Sequence, residues 1–112
     1  MTTLITRDEL RDAIDQGEVT VVDALPASYY DRQHLPGALN LYVEEARDRA
    51  LEMLPDKSAA IVAYCSNAAC PNSEGVARVL ASLGYSNVRK YREGIQDWVE
   101  AGLPTEATPS AA

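Results

Sequence analysis

The feature that most limits what this chain can fold into is an alternation of short apolar runs with stretches of helical period. Val19 to Asp23 (VTVVD), Ala60 to Tyr64 (AIVAY) and Val88 to Tyr91 are too short for helices, and Ala38 to Leu41 adds a fourth run after Pro36-Gly37. Between these runs, apolar residues recur three and four positions apart. Leu10, Ala13 and Ile14 share one helical face, opened by a Thr6/Glu9 capping box and closed at Gly17. Residues 27–33 suit a helical turn. Val43 to Leu54 follows helical spacing, with Glu45 four residues before Arg49. Val76, Val79, Leu80 and Leu83 mark another face that stops at Gly84, and Ile95 to Ala101 forms a closing helix before Gly102 and Pro104. Strands that alternate with helices predict an α/β fold, a small central parallel sheet covered by helices on both faces. In such folds ligands lie beyond the carboxyl ends of the strands, and the run AIVAY leads straight into Cys65 at such an end.

Length and charge narrow the partners. With 112 residues there is room for one hydrophobic core, expected over residues 1–104, and the small polar stretch TEATPSAA (105–112) reads as a flexible tail. The net charge of −7 argues against nucleic acid and anionic lipid as general partners. No run approaches membrane-spanning length and the N-terminus lacks a secretory pattern, so a cytoplasmic location is expected. Two cysteines are too few to staple a small domain, and a reducing compartment would keep them as thiols.

Both cysteines fall in Tyr64 to Ser73, YCSNAACPNS. A structural zinc usually takes four ligands, and beyond Cys65 and Cys70 the chain offers only His34 and carboxylates. No metal or cofactor is expected. The remaining readings are an inert buried thiol and a reactive one. For Cys70 these stay level, whereas Cys65 sits between a strand and a loop that leads into a helix. The small residues Ala68 and Ala69 let backbone N–H groups approach a ligand, so the amides of Ser66, Asn67, Ala68, Ala69 and Cys70 form a candidate anion cradle, with Asn72 or Ser73 capping the next helix. A thiol with its ordinary pKa of about 8.5 is mostly protonated at neutral pH, and a helix N-terminus can lower that value. Cys65 is the expected beneficiary and candidate nucleophile.

With these residues in view, the sequence resembles the rhodanese-like sulfurtransferase family from about Ile5 to Pro104. VVDALPASYYDRQHLPGALNL resembles its N-terminal signature and AIVAYC its active-site strand and nucleophile. VARVLASLGYSNVRKYREGIQDWVEAGLP resembles its closing half, with Gly84, Gly94, Trp98 and Gly102-Leu103-Pro104 in family places. The resemblance implies that Cys65 becomes a persulfide, taking sulfur from polysulfide, persulfide or thiosulfate and passing it to a thiol, a cyanide-like nucleophile or a protein acceptor. It also implies a structural part for His34 in the turn before Pro36-Gly37. Tyr64 and Trp98 read as core.

The chain departs from the family pattern in two places. Leu25 stands where many members carry an arginine two residues after the strand-ending aspartate. The loop after Cys65 is longer than the common form, contains Cys70 and has no Lys or Arg before Arg78. It resembles a subgroup with a second loop cysteine and a following serine such as Ser73. Phosphatases and arsenate reductases of this fold hold their oxyanion with a loop arginine as well, so soft sulfur donors suit a neutral loop better. Cys70 is then a candidate resolving thiol, against simple packing or loop variation. Two classes of function follow: a sulfurtransferase using Cys65, or a non-catalytic module of the same fold that binds a partner or senses redox state.

Overall fold

The computed structural model describes residues 2–108. Its elements alternate as the apolar runs predict: β1 (Thr3–Leu4), α1 (Arg7–Asp15), β2 (Thr20–Asp23), α2 (Ala27–Arg32), β3 (Leu39–Asn40), α3 (Ala46–Met53), β4 (Ile61–Tyr64), α4 (Asn72–Ser82), β5 (Val88–Tyr91) and α5 (Gly94–Glu100). The five strands pair in parallel in the order β1-β5-β4-β2-β3, which puts β4 at the centre. All four residues of β4 are buried, as a strand covered on both faces requires, and its lack of polar alternation has this cause.

Side chains alternate across the sheet and divide the core in two. On one face Val22, Ile61 and Ala63 pack with Ala46, Ala50, Val76 and Leu80 from α3 and α4. On the other, Val21, Val62, Tyr64 and Tyr91 pack with Leu10 of α1 and Trp98 of α5. Burying side chains of the size of Leu10 and Ile61 contributes about 1.5–3 kcal/mol each, so both layers are needed for a domain this small. Helix α1 begins at the expected capping box, in which the Glu9 N–H donates to the Thr6 hydroxyl and the Thr6 N–H donates to the Glu9 carboxylate.

The helix expected from Val43 to Leu54 starts with a 3-10 turn, Val43–Glu45, and continues as α3. The strand β1 carries no pattern in the sequence because it is two residues long and exposed. The expectation of a loose tail also needs correcting for residues 105–108. Glu106 and His34 exchange backbone hydrogen bonds of 2.8 Å each, the Gly37 N–H donates to the Glu106 carboxylate at 2.8 Å, and the Thr108 N–H donates to the Asp31 carbonyl at 2.9 Å. Backbone pairing and the Glu106 carboxylate hold this segment, which composition does not record; residues 109–112 lie outside the described residues.

Candidate active site

Strand β4 delivers Cys65 to the carboxyl edge of the sheet, beside the end of β2. The residue is 1% exposed and belongs to the buried cluster that includes Ala24, Leu25, Leu41 and Val76. Its Sγ lies 3.4 Å from the Cys70 carbonyl oxygen and 3.4 Å from the Ser73 hydroxyl oxygen. These neighbours act in opposite directions. A carbonyl can only accept the thiol proton and so favours the neutral form, whereas a hydroxyl can turn to donate to a thiolate.

Burial pushes the Cys65 thiol above its ordinary value, the contact with Cys70 adds to this, and the Ser73 hydroxyl and N–H pull the other way without prevailing. The expected lowering by a helix N-terminus is therefore overturned, because an apolar enclosure disfavours charge on sulfur more than its few donors favour it. The expected cap is overturned too. Helix α4 follows Pro71 with no side-chain cap; the Asn72 amide donates to the Ala24 carbonyl at 3.2 Å, and the Ser73 hydroxyl faces Cys65.

The loop also spends part of its expected anion cradle on itself. The Ala69 N–H donates to the Asn67 side-chain oxygen at 3.0 Å and the Cys70 N–H to the Asn67 carbonyl at 3.1 Å. Among the described residues, the N–H groups of Ser66, Asn67 and Ala68 have no protein partner. Ala68 and Ala69 are exposed and Cys70 is half-buried. Both cysteines are free thiols. Arg78 lies outside the loop, exposed and paired with Glu74. Among the described residues no three of His, Cys, Asp and Glu are gathered so as to hold a metal ion.

Two supports of the loop carry no local signal in the sequence. The first turn of α5 donates to the peptides on either side of the candidate thiol's loop entry: Ile95 N–H to the Cys65 carbonyl and Gln96 N–H to the Ser66 carbonyl, each at 2.9 Å. Gly94 permits this approach. Its φ is +73°, and a Cβ there would stand 2.5 Å from the Cys65 carbonyl oxygen. The second support is a buried polar chain behind the loop. The Tyr64 hydroxyl donates to the Asp23 carboxylate at 2.8 Å and accepts the Leu35 N–H at 3.1 Å, while the other Asp23 oxygen accepts the Leu25 N–H at 2.8 Å.

His34 does not reach this site. It is buried, its Nδ1 lies 2.6 Å from the Tyr30 carbonyl, and its ring stacks on Tyr30 with centroids 3.8 Å apart. That is a structural role in the turn before Pro36-Gly37.

A parallel α/β domain with a cysteine at the end of its central strand, followed by a loop and a helix, defines a class of small domains by fold and by the place of one thiol. Within that class the chain belongs to the Rhodanese-like domain family, whose model matches residues 6–101. It is 38% identical over 102 residues to an HTH-type transcriptional regulator of Mycobacterium tuberculosis, covering 91% of this chain and 44% of that protein. It is 28% identical over 67 residues to the thiosulfate sulfurtransferase PspE of Escherichia coli, covering 60% of this chain and 62% of PspE. The chain thus spans less than two thirds of the length of either relative. A crystal structure from Bacillus halodurans superposes with a TM-score of 0.87 at 26% identity, covering 96% of this chain and 78% of that one. No helix among the described residues is long and apolar enough to cross a membrane.

Proposed function

We propose that this protein is a sulfurtransferase in which Cys65 carries sulfane sulfur as a persulfide. The observation that carries the reading is the placement of the Cys65 thiol at the end of β4, with the Ser73 hydroxyl 3.4 Å from its sulfur and able to turn and donate once a thiolate forms. The Cys65 thiolate attacks the outer sulfur of a polysulfide, an organic persulfide or thiosulfate. A new S–S bond forms on Cys65, the donor's S–S bond breaks, and the electron pair leaves with the shortened polysulfide, the thiolate or sulfite. An acceptor thiolate, a cyanide-like nucleophile or a protein thiol then attacks the terminal sulfur of the Cys65 persulfide and releases the Cys65 thiolate, with no net oxidation. A reducing compartment such as the cytoplasm keeps the cysteines ready for this cycle.

The neutral loop and the 1% exposure of Cys65 favour slim donors whose sulfur arrives first. Polysulfide or a small persulfide is expected to exceed thiosulfate in turnover, and equal or better turnover with thiosulfate would remove that preference. Cys70 adds a branch: its thiolate attacks the Cys65 sulfur of the persulfide, forms a Cys65–Cys70 disulfide and expels hydrosulfide, and a thiol reductant resets the pair. Absence of an intramolecular crosslink by mass spectrometry, together with unchanged turnover in Cys70→Ser, would leave Cys70 without a part.

The test of the main reading is mass spectrometry after incubation with a sulfane donor. The protein is expected to gain one sulfur atom, and Cys65→Ser to gain none. A second reading, a non-catalytic partner-binding or redox-sensing module, draws on the likeness to a transcriptional regulator over 91% of the chain. No sulfur gain from any donor would favour it.

A further inference from the structure

The loop is neutral, yet a cation stands near it on another element. A cavity of about 500 Å³ is lined by Leu25, Tyr29, Arg32, Gln33, Ser66 and Ile95. Ser66 is bonded directly to Cys65, and Ile95 holds the Cys65 carbonyl, so the cavity adjoins the nucleophile's own peptide. Leu25 occupies the place where an arginine two residues after Asp23 is absent, and α2 brings Arg32 to the same space.

Three observations define what this cavity suits. First, it is unevenly charged: the chain carries 17 acidic residues and a net charge of −7, but no carboxylate lines the cavity and Arg32 is its one cation. Second, the guanidinium is held in place with its far end free. Arg32 Nε donates to the Ser28 carbonyl at 3.3 Å and the group lies over the Tyr29 ring, 5.1 Å from its centroid, while Arg32 makes no ion pair among the described residues. Its two terminal nitrogens present the fork that matches a carboxylate. Third, the walls are partly apolar, from Leu25, Ile95 and the Tyr29 ring, and the volume exceeds what hydrosulfide, polysulfide or cyanide needs. It falls in the range of sites for small organic ligands.

We infer that this cavity is the subsite for the organic part of the sulfur acceptor or donor, and that Arg32 selects small thiols and persulfides bearing a carboxylate. The inference rests on Cys65 as sulfur carrier for its kinetic consequence, but the binding it requires is separable from catalysis. The cation sits on α2, off the loop, and Cys65 itself is not among the residues that line the cavity. The cation therefore serves a carboxylate several bonds from the reacting sulfur and does not restore an oxyanion site at the thiol.

The kinetic test compares 3-mercaptopropionate, 2-mercaptoethanol and cysteamine as acceptors, corrected for thiolate fraction. Arg32→Ala is expected to lower the kcat/KM ratio of 3-mercaptopropionate to 2-mercaptoethanol about fivefold, the upper end for an exposed charge pair. Arg32→Lys should recover part of the ratio, and Arg32→Glu should turn the preference towards cysteamine. A ratio that stays at the wild-type value in all three variants overturns the assignment. The binding test titrates butyrate, which has no thiol, into labelled protein and follows the amide resonances of Ser66 and Ile95. They are expected to shift in wild type and to shift less in Arg32→Ala. If they do not move, the subsite is refuted even where Cys65 carries sulfur. If they move as expected while Cys65 gains no sulfur, the subsite stands and the sulfurtransferase reading falls.

Discussion

Strands β2 and β4 lie side by side with Asp23 opposite Tyr64, and their ends are put to opposite uses. At Asp23 and Tyr64 each buried polar group has a partner at 2.8–3.1 Å, and burial pushes both pKa values up. One residue beyond the end of β4, the Cys65 sulfur has two polar contacts among the described residues, both at 3.4 Å. Sulfur is a weak donor and acceptor, so little bonding holds the thiol there. A satisfied polar network rigidifies the chain around it. The difference teaches that the stiff end presents the soft one: Asp23 and Tyr64 bond the strand ends together, and the thiol just beyond them is held by weaker polar contacts.

The largest expected effect comes from removing the space that lets α5 reach the loop. Gly94→Ala forces a side chain into a left-handed backbone and against the Cys65 carbonyl. Strain and overpacking together should cost about 3 kcal/mol or more, seen as a fall in the denaturation midpoint. A midpoint within about 0.5 kcal/mol of wild type would show that α5 is not a rigid support. Tyr64→Phe breaks the stiff end alone. It leaves an Asp23 oxygen and the Leu35 N–H without their partner, which should cost about 1–3 kcal/mol in chemical denaturation. Sulfur gain on Cys65 by the folded fraction should persist. Loss of sulfur gain without loss of stability would mean that the two strand ends are not divided as described.

These supports also mark what the sequence makes legible. Apolar runs and helical spacing are local signals, and they locate β2, β4, β5 and the helices around them, together with Cys65 at a strand end. The family resemblance covers Gly94, but the reason for a glycine lies in Cys65 and Ser66, 28 and more positions earlier, and no local period reports it. The Asp23–Tyr64 bond joins residues 41 apart, and Arg32 meets Ser66 only across a cavity. Ser73 has a clear local meaning as a helix cap, which the structure replaces with a contact to the thiol. The sign of the Cys65 shift was illegible for a related reason. A helix start can be read from sequence, whereas the burial that outweighs it comes from a cluster whose members, Ala24, Leu41 and Val76 among them, are scattered along the chain.

Ser73 permits a finer test of the soft end. Sulfur uptake needs the Cys65 thiolate, so its rate should rise with pH through the Cys65 pKa, which burial holds above the ordinary thiol value. Below that point the thiol is protonated and uptake is slow; above it the rate levels off. Ser73 favours the thiolate by donating to it, so Ser73→Ala should move the whole profile to higher pH. At neutral pH the rate of sulfur gain should drop about threefold, the effect of losing one modest hydrogen bond. The plateau at high pH should be largely kept, because there the thiolate forms without help. A profile that moves to lower pH in Ser73→Ala would mean that the hydroxyl accepts from the thiol and holds it protonated, and that Cys65 is activated by something other than Ser73.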